Sequence, residues 1–310
     1  MKWRGRERST NIQDRRGAGG GGIFGRGLGG LGGTGSPRMR IPMPAGRGGA
    51  SIGGLIAIVV IFLVISWIAG VNPLSLLTGQ SPTQTQTSTS AQPLPEAGED
   101  ELLDFVAVVL RDTELLWTEI FQQNELTYDP PTLVLYSGQD SSACGLASAS
   151  TGPFYCPADQ DIYLDLGFYE QLRREFGAPG DFAQAYVLAH EVGHHVQNMT
   201  GEMDRFAEFR QTNSEADINA YSVRVELQAD CYAGLWAAYA GQENLLESGD
   251  IEEALNAAEA IGDDTIQRRQ TGYTVPRTYT HGTSAQRQRW FNTGYTTGDV
   301  GACNTFSGNI

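Results

Sequence analysis

The sequence predicts an α+β protein, mostly helical, with a small sheet whose edge strand precedes a helix carrying His190-Glu191-Val192-Gly193-His194. Three observations predict it. The pentad sits in a stretch with an apolar back and a polar front. Short runs rich in Val, Leu, Ile and Tyr come before it. After it the chain is almost all of helical spacing, with no internal repeat and no Gly-rich phosphate loop following a strand.

Charge divides the chain. Residues 1–50 carry ten Lys and Arg against Glu7 and Asp14, a charge of +8, so the remainder holds −23 of the total −15. This Gly/Arg-rich segment has almost no hydrophobic periodicity, which predicts a disordered tail. Residues 51–71 are uncharged and apolar, long enough to span a hydrocarbon core, with Trp67 near the far end. The basic flank places residues 1–50 in the cytoplasm and the rest outside, as a single-pass cell-membrane protein. A cleaved signal peptide fits less well, because the preceding tail is long. The basic tail thereby serves orientation; no nucleic-acid partner is expected, and an anionic-lipid tether would be an added role. Residues 72–99 are Ser/Thr/Gln/Pro-rich and read as a stalk, which leaves 100–310 as the extracytoplasmic domain.

Within that domain, apolar residues at helical spacing predict a helix over 102–126, broken at Pro130-Pro131. Thr132–Tyr136 and Phe154-Tyr155 read as strands. Asp161–Asp165 mixes apolar and acidic residues in near alternation, as an exposed edge strand would, and such an edge can align an extended peptide. A short helix over 168–176 ends at Gly177. The pentad helix starts at Pro179-Gly180-Asp181, with Asp181 as N-cap. Further helices are expected over 202–211, 213–239, 251–261 and 284–291, with a loop at 272–283.

The pentad is HExxH, the helical zinc signature. Histidines four apart lie one above the other on a helix, so His190 and His194 can reach one Zn2+. Glu191 lies beside them and can act as a general base without ligating. A catalytic zinc needs a third protein ligand. Glu226, 36 residues after His190, begins an ExxxD pair with Asp230 on one helix face. Glu226 is read as the ligand, and Asp230 as acceptor of a ligand histidine's free N–H. Glu215 and Asp217 are weaker candidates. His281 is an alternative third ligand, an oxyanion donor or a structural histidine; Tyr273, Tyr279 and Tyr295 are further possible donors. His195 is expected to flank the site structurally.

Cys144, Cys156, Cys231 and Cys303 all follow the apolar run. An even count outside the cytoplasm points to disulfides, with three connectivities open. Cys144–Cys156 with Cys231–Cys303 is favoured, since the first closes a Gly/Ser-rich loop and the second pins the C-terminal tail. Cys231 as a free thiol or metal ligand is the competing reading.

The segments His190–Gln197, Gly152–Pro157, Glu226–Cys231 and His281-Gly-Thr-Ser with Gln286-Arg287 and Trp290-Phe291, in that order, resemble the bacterial neutral zinc metallopeptidase family. The resemblance covers roughly 100–306 and leaves the basic tail outside. It implies a zincin-like fold and a membrane-anchored, zinc-dependent endopeptidase acting on protein or peptide substrates through one catalytic zinc. The rival reading is a non-catalytic membrane-anchored binding protein that keeps the fold. Glu191 argues against it, because a structural zinc site needs no base.

Overall fold

Thr132–Tyr136 is the strand around which the sheet is laid. The computed structural model describes residues 1–16, 96–148 and 151–310; the apolar run 51–71 and residues 72–95 of the stalk lie outside these residues, while 96–99, read as the end of the stalk, already belong to a helix. Chain order runs β1 (Ile12–Asp14), α1 (Glu96–Gln123), β2 (Thr132–Tyr136), β3 (Gln139–Ser142), β4 (Gly145–Ser148), β5 (Phe154–Cys156) and β6 (Asp161–Asp165). Then come α2 (Gly167–Arg174), α3 (Asp181–Met199), α4 (Glu202–Thr212), α5 (Glu215–Gln242), α6 (Asp250–Ala260), α7 (Asp263–Thr271) and α8 (Ser284–Thr297), with short 3-10 turns at Pro276–Thr278 and Val300–Cys303. A mainly helical α+β architecture is thus observed.

The sheet order is β1-β2-β6-β5, with β3 and β4 as a separate hairpin. The first three strands are parallel, and β5 runs antiparallel to β6 with Tyr155 opposite Ile162. This corrects the edge assignment: β6 is internal, and β1 and β5 are the edges. The acids that gave β6 its alternation stand only at its ends. Asp165 there accepts the N–H groups of Gly138 (2.8 Å) and Gly167 (2.9 Å), so it organises turns instead of facing solvent along the strand. Between the acids, Ile162, Tyr163 and Leu164 are buried, as in a strand covered on both faces.

A second correction concerns the N-terminus. Residues 1–16 are not a disordered tail but belong to the same compact unit as the helices. β1 pairs with β2, Trp3 meets Phe105 edge to face at 5.5 Å, and Arg6 pairs with Asp112 at 2.8 Å. Asn11 donates to Glu114 at 2.9 Å, and the Met1 amine lies 2.7 Å from Asp181. The composition of the fifty-residue window is set by its glycines after position 16, which mask the anchors Met1, Trp3 and Ile12 at its start. Among the described residues no helix is long and apolar enough to cross a membrane.

α3 is the central helix. It is capped at Gly180 (φ 119°), so Asp181 is its first residue and not the cap. The open N–H of Phe182 is taken instead by the Glu253 carboxylate, 3.1 Å away on α6. α5 packs on α3 where a Cβ at Gly193 would lie 3.1 Å from Ala229 Cα, so the glycine sets a close approach. α8 crosses α5 still more tightly, through Gly234 and Gly294. α7 was not anticipated: Gly262-Asp263-Asp264 reads as a stop, yet Gly262 is the N-cap and the two acids occupy the first turn, where the helix dipole favours them. Both expected disulfides are formed, with Cα–Cα distances of 5.7 Å for Cys144–Cys156 and 5.6 Å for Cys231–Cys303.

Candidate metal centre

The helical spacing of the pentad puts His190 and His194 on one side of α3, and Gly193 lets α5 approach closely enough to add Glu226. Nε2 of His190 is 3.2 Å from Glu226 Oε2, and Nε2 of His194 is 3.6 Å from Oε1. One ligand atom from each of the three lies within 4.8 Å of the others. Both Nδ1 atoms are already committed. His190 Nδ1 donates to Asp230 Oδ1 at 2.9 Å, and His194 Nδ1 donates to Gln197 Oε1 at 2.8 Å. The two Nε2 atoms therefore face the carboxylate, and two imidazoles with one carboxylate are a donor set that suits zinc.

The electrostatics agree. Burial pulls the His190 imidazole down, but Asp230 and Glu226 push it up to about 10. Burial would raise Glu226, yet His194, His281 and His190 hold it well below the usual carboxylate range, so it is an anion ready to ligate.

Asp230 is itself gripped. Arg287 on α8 donates to its Oδ2 through Nε and to its Oδ1 through Nη2, each at 2.9 Å, and the Tyr186 hydroxyl donates to Oδ1 at 2.6 Å. Burial raises this carboxyl, but Arg287 and His190 bring it down to about 2. Gln197 is likewise fixed: its amide donates to Val225 O (2.7 Å) and to Gln228 Oε1 (3.0 Å), and Gln228 donates to Cys303 O (3.1 Å).

His190, His194, Glu226, Tyr186 and Arg287 line a cleft of about 400 Å³ that also includes Glu191, His281, and Phe154 and Tyr155 of the edge strand. His281 stands in the cleft but outside the ligand cluster. Its Nδ1 is 3.2 Å from Asp263 Oδ1, while Asp263 Oδ2 accepts the N–H groups of Thr280, His281 and Gly282 at 2.8, 2.7 and 3.0 Å. Glu226 first, then Asp263, raise the His281 pKa.

The other candidates fall elsewhere. Tyr273, Tyr279 and Tyr295 do not line the cleft; Tyr155 and Tyr186 do. Glu215 and Asp217 occupy the exposed first turn of α5. His195 is buried, donates from Nε2 to Asp129 O at 2.7 Å, and accepts at Nδ1 from Tyr155, 3.2 Å away, tying the edge strand to α3. Asp263, Arg287 and Gln197 escaped the sequence reading of roles. Arg287 and Gln197 fall inside the segments that carry the family resemblance, which was the available signal; Asp263 falls outside them.

A helix-borne HExxH, a carboxylate from the next long helix and an open cleft define a candidate mononuclear metal centre of the metallopeptidase type. The family model described as "Putative neutral zinc metallopeptidase" matches residues 1–306, and the chain belongs to this family. The match starts at residue 1, so the N-terminal segment lies inside the resemblance, in keeping with its packing. The chain is 43% identical over 310 residues to "Uncharacterized protein YpfJ" of Escherichia coli K12, spanning the full length of both. It is 49% identical over 191 residues to "Uncharacterized protein Rv2575" of Mycobacterium tuberculosis H37Rv, covering 58% of this chain and 64% of that protein. No solved structure matches it.

Proposed function

We propose that this chain is a zinc-dependent endopeptidase with a zincin-like active site. The observation that carries the reading is the convergence of His190 Nε2, His194 Nε2 and the Glu226 carboxylate in an open cleft that also holds Glu191. Bound there, one zinc ion supplies Lewis acidity to the scissile carbonyl and acidifies a water. The protein's own groups do the rest. Glu191 takes the proton of the attacking water and hands it to the leaving amine. Asp230 and Gln197 hold the Nδ1 protons, so that each ligand histidine presents a lone pair at Nε2. His281, held by Asp263, donates from Nε2 to the developing oxyanion. The free side of β5 aligns an extended substrate by adding a strand, the role first read into Asp161–Asp165.

The disulfides favour an oxidising compartment. A single crossing by residues 51–71 would put residues 1–16 and 96–310 on opposite faces of a membrane. Their packing into one unit supports instead a topology that keeps both in the same compartment. Membrane attachment through residues 51–71 remains part of the proposal only in a form that keeps the two flanks together.

The test is metal content and cleavage of an unfolded protein such as casein by the full chain, wild type beside Glu191→Gln. One zinc in each, with cleavage by the wild type alone, is the expected result. Equal cleavage by both would remove Glu191 as base.

A further inference from the structure

We infer that the cleft selects extended peptides carrying large apolar side chains on both sides of the scissile bond and rejects charged ones there. This rests on the peptidase reading and adds the substrate class to it.

The argument begins with the charges. The lining residues that carry charge or take part in proton exchange are Glu191, Glu226, Arg287 and the three histidines. All but Glu191 are already engaged. Glu226 and the two motif histidines form the metal cluster, Arg287 is spent on Asp230, and His281 is held by Asp263. Glu191 is reserved for the attacking water, so among the described lining residues no charged group is left over to pair with a substrate side chain.

What remains is largely apolar, and it stands at both ends of the metal cluster along α3. Val187 precedes His190 by one turn, and Phe168, Ile261 and Ile266 join it in the lining; beyond the C-terminal end of α3, Met203 and Phe206 follow on α4. All but Val187 are only partly buried, so apolar surface is left facing the cleft. The walls are also fixed. Phe206 stacks on Tyr221 with centroids 5.2 Å apart and planes 3° from parallel, and Phe154 stacks on Tyr163 at 5.1 Å and 10°. A preorganised apolar wall gains by covering apolar side chains and penalises a charge that finds no partner. The edge strand β5 shares the cleft, which sets the occupant as an extended chain and not a compact small molecule.

The experiment uses the full-length, zinc-loaded chain. Wild type is given a mixed peptide library read by mass spectrometry, and zinc-loaded Glu191→Gln is titrated with fluorescent peptides that differ only at the two residues flanking the central bond. Leu, Phe, Met or Ile on both sides should mark the cleavage sites. A single Asp, Glu, Lys or Arg at either flank should lower kcat/KM, and binding to Glu191→Gln, by about ten- to a hundredfold. Ile266→Arg and Phe206→Arg, each checked for zinc content, should relieve the penalty for an acidic residue on one flank each, and not the same flank. Cleavage indifferent to the flanking residues, or an unchanged profile in both arginine variants, overturns the inference and leaves the peptidase reading standing. Selective binding of apolar peptides with no cleavage by wild type does the reverse.

Discussion

Arg287 donates to both oxygens of Asp230 at 2.9 Å, and through Asp230 it reaches the Nδ1 proton of His190. Both partners are buried. A buried carboxylate of this kind is held charged by its cation, and removing the cation leaves an uncompensated ion. Arg287→Met should therefore destabilise the fold by about 3–5 kcal/mol and weaken zinc binding by about 10–100-fold, since His190 loses its orienting partner. Thermal melts and chelator competition measure the two effects. Arg287→Lys should recover part of the stability but less of the zinc affinity, because a lysine cannot make two parallel bonds. Unchanged zinc affinity in both variants would reduce Arg287 to a packing role.

How much of this was legible follows the range of the contacts. His190, Glu191 and His194 are fixed by helical period alone, and Glu226 with Asp230 repeats the same spacing on a second helix, so the metal centre could be read locally. Asp263 could not, because its partner His281 lies 18 residues away across a helix whose start looks like a stop. β6 was misplaced for a similar reason: acids at strand ends imitate the alternation of an exposed edge. The N-terminal strand was lost to window averaging, since three anchoring side chains precede a long run of glycine.

Glu226 and His281 compete as third ligand in the sequence and separate in space. Glu226→Ala should lower zinc affinity by several orders of magnitude, and His281→Ala should leave zinc bound while slowing hydrolysis by about 10²–10³-fold, the cost of one oxyanion donor. Metal analysis after dialysis against a chelator distinguishes the two. Full zinc occupancy in Glu226→Ala would transfer the ligand role to His281.

The Asp263–His281 pair sets a pH limit. With Asp263 accepting the Nδ1 proton, Nε2 of His281 carries a hydrogen only while the ring is an imidazolium. Without metal, Glu226 first and Asp263 next raise the His281 pKa; with the Glu226 charge taken up by zinc, Asp263 is the anion that sustains the imidazolium, and the donor is lost as pH rises through the His281 pKa. Asp263→Asn can keep the backbone bonds of residues 280–282 and removes the charge. The basic limb of kcat/KM should then move to lower pH, with the acidic limb unmoved. A basic limb that stays in place would separate His281 from the chemistry.

The N-terminal segment predicts its own stability effect. Trp3 is 7% exposed and packs on Phe105. Trp3→Ala should cost about 3–5 kcal/mol, the range for truncating a buried tryptophan. In a folded body of this size that is a drop in Tm of roughly 6–20 °C. Removing residues 1–16 should do more, since it also uncovers the edge of β2. A melt unchanged by either would detach the segment from the domain.

The last prediction tests how the metal centre is supported from behind. A Cβ at Gly294 would stand 2.0 Å from the carbonyl oxygen of Cys231, and one at Gly234 the same distance from that of Phe291, so each helix of the α5–α8 crossing needs the other's glycine. The clash is with backbone, which cannot swing aside as a side chain can. Gly294→Ala must push the helices apart by about an ångström or more, and overpacking of this kind costs about 1–3 kcal/mol at least. α5 carries Glu226 and Asp230 and α8 carries Arg287, so the displacement should loosen the Arg287–Asp230 grip and lower zinc affinity together with Tm. Ala at Gly138, an exposed turn position with φ 76° and no atom within 4 Å, provides the control: it should strain the backbone locally and leave zinc binding alone. Should Gly294→Ala lower Tm while zinc affinity stays at the wild-type value, the α5–α8 crossing supports the fold without tuning the metal.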